Sequence, residues 1–232
     1  MKTQLIVALD VPSAADIPKI VNALPPQISY YKIGLELFTS AGPDALKFLS
    51  DNNKKIFLDL KLHDIPRTVE RAVESASRHN VALLTVHAGG GRAMLTAAAN
   101  AAANAGEAAP AIVAVTTLTS LDQNDLTELG ITRPLSEHTA ALGKLAIDCG
   151  IDGLVCSPLE VAGFRKTLGE KPILVTPGIR PAGSELGDQK RVATPASAIN
   201  DGSSFLVVGR PILAAENPAE AAAEILRQME EA

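Results

Sequence analysis

Long hydrophobic runs are missing from this 232-residue chain, although 47% of its residues are apolar. A helix that crosses a membrane needs about 20 consecutive, predominantly apolar residues, and the longest alanine-rich tract is broken by Asn100, Asn104 and Glu107. Residues 1–9 hold one lysine and a short apolar run, with no small-residue cleavage site typical of a signal peptide. We therefore expect a cytoplasmic protein without a membrane span, whose first residues form a strand.

Cysteine and basic charge are also scarce. The two cysteines, Cys149 and Cys156, could pair in principle, but without a sign of secretion we expect two reduced, mostly buried thiols. Lysine and arginine total 21 against 26 aspartates and glutamates, which is a formal net charge of −5. Binding along a nucleic-acid backbone requires clustered basic side chains. The composition therefore argues against a nucleic acid polymer as a partner.

Eight short apolar runs, rich in β-branched residues, follow one another along the chain. They occupy residues 4–10, 30–36, 56–62, 83–88, 111–118, 153–157, 172–179 and 205–209. Segments with helical periodicity lie between most of these runs. Strands that are covered on both faces read as continuous apolar runs, not as an apolar–polar alternation. The pattern therefore predicts an α/β fold in which eight parallel strands alternate with helices.

A closed (β/α)8 barrel, formed as a single domain by residues 1–232, is the simplest architecture with this pattern. The alternative, an open doubly wound sheet, normally carries a glycine-rich phosphate loop after its first strand. Residues 10–13 read Asp-Val-Pro-Ser, which is no such loop. Two polar stretches, 119–137 and 180–194, are longer than usual connections, and we expect them to be functional loops over the barrel mouth.

Charged residues stand at the predicted carboxyl ends of the first three strands, where a barrel places its active site. They are Asp10, Lys32, Asp59 and Lys61. Residues two apart on a strand face the same side, so Asp59 and Lys61 should project together into the barrel mouth. Charges buried in a barrel must be paired or used on a ligand. A structural ion-pair cluster and a catalytic array are both compatible with this pattern.

The run Asp59-Leu-Lys61-Leu-His-Asp64-Ile65-Pro66 resembles the D-x-K-x-x-D-I signature of the orotidine 5′-phosphate decarboxylase family. The resemblance continues over essentially the whole chain, through residues 8–10, 31–34, 85–88, 118–119, 176–180, 188–191 and 207–212. It implies a homodimeric (β/α)8 barrel that decarboxylates orotidine 5′-monophosphate (OMP) to uridine 5′-monophosphate (UMP) without a metal or an organic cofactor. It also implies that the chain is of the bacterial, cofactor-independent type.

The resemblance assigns roles to individual residues. Lys61 would protonate C6 of the pyrimidine as carbon dioxide leaves, with Asp59 and Asp64 beside it and Lys32 completing an alternating array. Further residues implied at the ribose, base and phosphate are Asp10, Ile65, Thr68, Thr119, Pro177, Arg180, Gln189, Gly209 and Arg210. Asp64, Ile65 and Thr68 would cross a two-fold interface into the partner's site, so that each site of the homodimer is composite.

The chemistry of the residues agrees with these roles. Loss of carbon dioxide from an sp² carbon leaves a localised carbanion without an electron sink, so the site must supply positive charge and a proton at that carbon. A lysine supplies both. The Lys61 to Asp59 spacing thus suits a cofactorless decarboxylation.

Three other interpretations remain open at this point. Asp59, His63, Asp64 and His87 could be drawn as a metal site, although Lys61 stands among them. Magnesium-dependent sugar-phosphate enzymes of the same superfamily share the D-x-K-x-x-D strand, but they place an acidic residue where this chain has Lys32. A catalytically silent nucleotide-binding barrel is the third alternative, and it would have no need of a buried proton donor.

Overall fold

The eight predicted strands close into one parallel barrel in the computed structural model, which describes residues 2–181 and 191–232. Each strand pairs with the next along the chain, and the first pairs with the last. The strands are β1 (Gln4–Ala8), β2 (Tyr30–Gly34), β3 (Lys55–Leu62), β4 (Val81–His87), β5 (Ala111–Val115), β6 (Gly153–Val155), β7 (Ile173–Thr176) and β8 (Phe205–Val208). The predicted closed barrel is confirmed.

Helices follow the strands and cover the outside of the barrel. They are α1 (Ile17–Ala23), α2 (Leu35–Ala41), α3 (Asp44–Asp51), α4 (Pro66–Ala76), α5 (Gly91–Asn104), α6 (Gln123–Glu128), α7 (Leu135–Asp148), α8 (Pro158–Leu168), α9 (Pro195–Asn200), α10 (Arg210–Leu213) and α11 (Pro218–Glu230). Most start with a recognisable signal: Ser157 and Glu160 form a capping box at α8, and proline opens α4, α8, α9 and α11.

Two apolar clusters explain why the strands read as continuous hydrophobic runs. One fills the barrel interior with side chains such as Ile6, Phe57 and Val113. The other lies between strands and helices and includes the alternate residues Leu5 and Val7 of the first strand. Because both faces of each strand are buried, successive residues are apolar, as expected for a parallel sheet wrapped by helices. The apolar filling leaves the carboxyl ends of the strands to carry the polar groups.

Except for β3, the strands end earlier than the apolar runs predict. Asp10 lies two residues beyond the end of β1, and the run predicted to reach residue 118 is a strand only as far as Val115. The reason is that these residues leave the ladder at the barrel mouth, where their side chains line a cavity instead of packing under helices.

The stretch 119–137 is not a simple loop, because it contains α6. Asp122 caps that helix by accepting from the amides of Asn124 and Asp125, and the Asp125 side chain accepts from the Asp122 amide in return. The Asp-x-x-Asp spacing supplied this capping signal. Of the other long stretch, 180–194, residues 182–190 lie outside the described residues.

Two further expectations can be compared with the structure. Cys149 and Cys156 are buried free thiols, as predicted, and burial raises the pKa of the Cys156 thiol above its usual range. Within residues 2–181 and 191–232, no helix combines the length and the apolar character that a membrane crossing demands.

Candidate active site

Four charged side chains from the first three strands form a chain of alternating sign at the barrel mouth. The Lys32 ammonium lies 2.7 Å from Asp10 Oδ1 and 3.8 Å from Asp59 Oδ2. The Lys61 ammonium lies 2.8 Å from Asp59 Oδ1. The order along the rim is therefore Asp10, Lys32, Asp59 and Lys61, and each charge has a neighbour of opposite sign. This pairing lowers the cost of holding the four groups together at a partly desolvated edge.

The contact between Asp59 and Lys61 does not arise from a regular strand. Leu58 pairs with Leu84 of β4, but Leu62 pairs with Val86, so β3 carries extra residues between these two positions. Lys61 has a φ of +49°, in the left-handed region that residues other than glycine seldom adopt. The side chains do meet, as predicted, but a β-bulge brings them together, whereas the prediction rested on strand alternation.

A glycine next to the array leaves room for the Lys32 ammonium. A methyl group added at Gly34, the last residue of β2, would lie 3.0 Å from Lys32 Nζ and 3.4 Å from Asp10 Oδ1. Any larger residue would push against both charged groups. The absence of a Cβ at Gly34 therefore leaves space for the charged groups, although the glycine itself takes no part in the chemistry.

Two arginines lie at the ends of the last two strands. Arg180 follows β7 and is only 9% exposed, while Arg210 follows Gly209 at the start of α10. Burial lowers the pKa of Arg180, and the neighbouring charge of Arg210 lowers it further. Two guanidinium groups close enough to repel each other form a region suited to an anion with more than one negative charge.

A cavity of about 310 Å³ connects the array with the arginine pair. That volume is at the lower end of the range for small-molecule sites, which is roughly 300 to 1,000 Å³. Nine of the predicted site residues line it: Asp10, Lys32, Asp59, Lys61, Thr119, Pro177, Arg180, Gly209 and Arg210. The structure thus brings together residues that lie up to two hundred positions apart in the chain.

Three predicted residues lie outside this cavity. Asp64, Ile65 and Thr68 are exposed, and Ile65 is exposed to 68%. The Asp64 carboxylate accepts from the amide of Ile65 at 2.7 Å, and within the described part of the chain no ion pair joins it to Lys61. A single chain therefore does not place Asp64 in the array. Gln189, predicted at the base and phosphate, lies outside the described residues.

The structure also shows contacts of residues for which the sequence predicted no individual role. The buried hydroxyl of Thr85 accepts from the Lys61 amide at 2.7 Å and donates to Asp59 Oδ1 at 3.1 Å. Arg191 forms a buried ion pair with Glu160 and donates to the Leu118 carbonyl at 3.1 Å, beside the cavity. The Ser-x-x-Glu spacing at residues 157–160 was a signal for Glu160, whereas nothing local indicated its partner.

His63 and His87 stack on each other at the rim, with ring centroids 5.0 Å apart. Burial lowers the pKa of His87, and the charges of His63 and Lys61 lower it further. His87 Nδ1 accepts from the Gly89 amide. In residues 2–181 and 191–232, no three histidine, cysteine, aspartate or glutamate side chains gather as a metal-binding group.

The chain belongs to a family of barrel enzymes that its fold and site already outline. The family model described as orotidine 5′-phosphate decarboxylase / HUMPS family matches residues 3–225. The chain is 48% identical to the orotidine 5′-phosphate decarboxylase of Moorella thermoacetica, over 99% of this chain and 93% of the relative. It is 49% identical to that of Halorhodospira halophila, over 97% and 95% of the two chains.

A solved structure shares the same fold. The crystal structure of orotidine 5′-phosphate decarboxylase from Lactobacillus acidophilus superimposes with a TM-score of 0.87. The two chains are 38% identical, and the match covers 98% of this chain and 99% of the other. The likeness therefore extends over the whole barrel and is not confined to the signature on β3.

Proposed function

We propose that this protein is a carboxy-lyase that converts OMP into UMP and carbon dioxide, with Lys61 as the proton donor. The observation that carries the proposal is the alternating series Asp10, Lys32, Asp59 and Lys61 along one edge of a cavity whose other edge holds Arg180 and Arg210. The size of the cavity and its separated charges suit a nucleotide with an anionic phosphate and a reactive base. The whole chain, residues 1–232, acts as one domain.

The reaction breaks the bond between C6 of the pyrimidine and its carboxylate, and the electron pair stays on C6. Lys61 transfers a proton to C6, which forms the C–H bond of UMP, and the neutral amine then regains a proton from water. The Asp59 carboxylate lies 2.8 Å from the Lys61 ammonium, and the attraction between the two charges holds the proton donor in place. An opposite charge at about 4 Å is worth roughly 4 kcal/mol at an effective dielectric of 20. Asp59 also repels the substrate carboxylate, and this repulsion ends when carbon dioxide leaves.

The remaining side chains hold the parts of the substrate that do not react. Asp10 and Lys32 bind the ribose hydroxyls, and Thr119 and Pro177 contact the base; all four residues line the cavity, which supports these roles. Arg180, Arg210 and the Gly209 amide bind the phosphate, with Gln189 as a further ligand. Binding energy from the phosphate orders the site for the chemical step, although the phosphate itself does not react.

The substrate site is composite in a homodimer. The exposure of Asp64, Ile65 and Thr68 supports this proposal, because an apolar side chain as exposed as Ile65 is well suited to a subunit interface. Asp64 would then approach the Lys61 ammonium of the partner's array and complete its set of flanking carboxylates. Neither the array nor the cavity of one chain contains that second carboxylate.

Mixing two inactive variants tests the composite site. We expect Lys61→Ala and Asp64→Ala each to be inactive alone and to regain activity after subunit exchange. A mixed dimer has one site with both changes and one with neither, so random exchange restores about a quarter of the sites. If mixed dimers form and remain inactive, Asp64 serves its own subunit's site.

One assay tests the function itself. Purified protein in excess chelator should consume OMP, followed by its absorbance, because the array supplies charge and proton without a metal. Activity that chelation abolishes and magnesium restores would place the protein with the magnesium-dependent sugar-phosphate enzymes. Binding of UMP without turnover of OMP would instead indicate a silent nucleotide-binding barrel.

A further inference from the structure

Thr85 lies on β4, directly behind the array, and is fully buried. Its hydroxyl accepts from the backbone amide of Lys61 at 2.7 Å and donates to Asp59 Oδ1 at 3.1 Å. A threonine hydroxyl has one proton to donate, and here that proton goes to the array. Both contacts of this hydroxyl are thus made to the two residues on which the proposed proton transfer depends.

The bulge in β3 explains why a side chain is needed at this point. Between Leu58 and Leu62, β3 has three residues, whereas β4 has the single residue Thr85 between Leu84 and Val86. The backbone of β4 therefore has too few groups to pair with every residue of the bulge. The Thr85 hydroxyl accepts from the Lys61 amide, which the shorter β4 segment leaves without a backbone partner at this position.

The Lys61 backbone has an unusual conformation that the contact with Thr85 helps to stabilise. Its φ of +49° lies in the left-handed region, which a residue with a Cβ seldom adopts unless its surroundings stabilise it. The atom that Thr85 holds is the Lys61 amide nitrogen, one end of the N–Cα bond about which φ is measured. The same hydroxyl fixes Asp59 Oδ1, which also accepts from Lys61 Nζ at 2.8 Å.

We propose that Thr85 is a positioning residue whose hydroxyl sets the Lys61 backbone and the Asp59 carboxylate in one geometry, so that the ammonium is presented to the reacting carbon. In the described part of the chain Thr85 does not line the cavity, so it acts through Lys61 and Asp59 and not on the substrate. The inference rests on the proposed function, because it requires Lys61 to be the proton donor.

The test compares two substitutions that differ in the hydroxyl. Thr85→Val keeps the shape of the side chain and removes the hydroxyl, whereas Thr85→Ser keeps the hydroxyl and removes a methyl group. We expect Thr85→Val to lower kcat for OMP about 10- to 100-fold, since misplaced reacting groups have effects of this size. KM and the Kd of UMP should stay within about threefold of wild type, because the phosphate contacts are unchanged. Thr85→Ser should recover most of kcat.

The matched control is Thr116→Val, which removes another buried threonine hydroxyl near a strand end, one that donates to the Val155 carbonyl at 3.4 Å. It should cost stability at most and leave kcat at the wild-type value. Hydrogen exchange of the Lys61 amide, measured by NMR, gives a readout independent of activity. It should be faster in Thr85→Val than in wild type and in Thr85→Ser.

The outcomes separate the inference from the function on which it rests. A wild-type protein that does not turn over OMP overturns the proposed function. An active wild type together with a wild-type kcat in Thr85→Val, or an equal loss of kcat in Thr85→Ser and Thr85→Val, overturns the role of Thr85 alone. If Thr85→Val does not fold, Thr85→Ala removes the same hydroxyl from a smaller side chain and is compared with Thr85→Ser in the same way.

Discussion

The two arcs of the barrel mouth use charge in opposite ways. On the arc formed by β1 to β3, four charges alternate in sign and lie 2.7 to 3.8 Å from their neighbours. The arc formed by β7 and β8 carries Arg180 and Arg210; burial lowers the pKa of Arg180, and the charge of Arg210 lowers it further. The first arc carries charges of both signs, whereas the second places two side chains of the same sign at the cavity.

This difference suggests that the first arc determines the rate of the chemical step and the second arc the affinity for the substrate. Opposite charges hold one another in a fixed geometry before the substrate arrives, which is what a preorganised catalytic group needs. Like charges become favourable neighbours once an anion lies between them, which is what a phosphate supplies. We therefore expect substitutions on the first arc to lower kcat and substitutions on the second to raise KM.

The largest effect should come from Lys61→Ala. It removes both the proton and the charge that the developing carbanion requires, so kcat should fall by a factor of at least about 10⁴. The Kd of UMP, measured by calorimetry, should change little. Lys47→Ala, an exposed lysine paired with Asp51 on α3, is the control and should be fully active. Equal losses of turnover and of UMP affinity would contradict the separation of the two arcs.

Arg210→Ala tests the second arc. Losing a charge-assisted contact to phosphate should raise KM for OMP about 10- to 100-fold with a smaller change in kcat. The decisive measurement uses orotidine, the same nucleoside without phosphate. Wild type and variant should process orotidine equally slowly, whereas a difference that persists without the phosphate would assign Arg210 another role. Arg78→Ala, on the helical turn after α4, is the surface control.

Glu160→Gln sharpens the comparison, because it concerns Arg191, an arginine outside the second arc that forms an ion pair with Glu160. Arg191 and Glu160 are both almost buried, so removing the charge of Glu160 should lower the free energy of unfolding by about 1 to 3 kcal/mol. The preference for OMP over orotidine should not change. Glu170→Gln, which removes an exposed partner 3.9 Å from Arg165, should leave the free energy of unfolding as it is.

The smallest effect concerns His87, beside the first arc. Burial lowers the pKa of His87 below its usual 6.5 in the folded protein, so the unfolded chain binds a proton there more readily. The free energy of unfolding should therefore decrease as the pH falls through about 6.5, by less than about 1 kcal/mol from this residue.

The measurement is urea unfolding at several pH values between about 5 and 8. His87→Asn, which keeps an acceptor for the Gly89 amide, should show a flatter dependence on pH than wild type. His79→Asn, on the short helical turn that follows α4, is the matched control. An unchanged pH dependence in His87→Asn would show that burial of this ring contributes nothing to acid sensitivity.

The sequence predicted the barrel because its evidence is repeated eight times along the chain. The charged residues at the ends of the first three strands were predictable for a related reason, since a barrel gathers all its strand ends at one edge. The bulge at Lys61 was not predictable, because the register shift between β3 and β4 and the contact with the Thr85 hydroxyl join residues that are distant in sequence. Thr85 lies in one of the stretches that carry the family resemblance, but nothing in the sequence assigned its hydroxyl a role, because β-branched residues are common in strands.

Contacts over long distances were equally hidden. The spacing of Ser157 and Glu160 indicates a helix start, but the Arg191 that neutralises Glu160 lies 31 residues further on. Asp64 lies five positions after Asp59, an odd number, so on a continued strand its side chain would face away from Asp59 and Lys61; in the structure that side chain is exposed. Which residues Asp64 would meet in the proposed homodimer depends on a second chain.

The pairing of β1 with β8 gives the site a place in the folding of the chain. The lysine–aspartate array comes from residues 10–61, whereas the two arginines are residues 180 and 210. The pairing of β1 with β8, from Gln4 opposite Phe205 to Val7 opposite Val208, joins these distant parts of the chain. During synthesis the array residues emerge long before the arginines, so a nucleotide finds its full set of contacts only after the last strand docks on the first. UMP should then stabilise the closed barrel by mass action, and its binding should report ring closure during refolding.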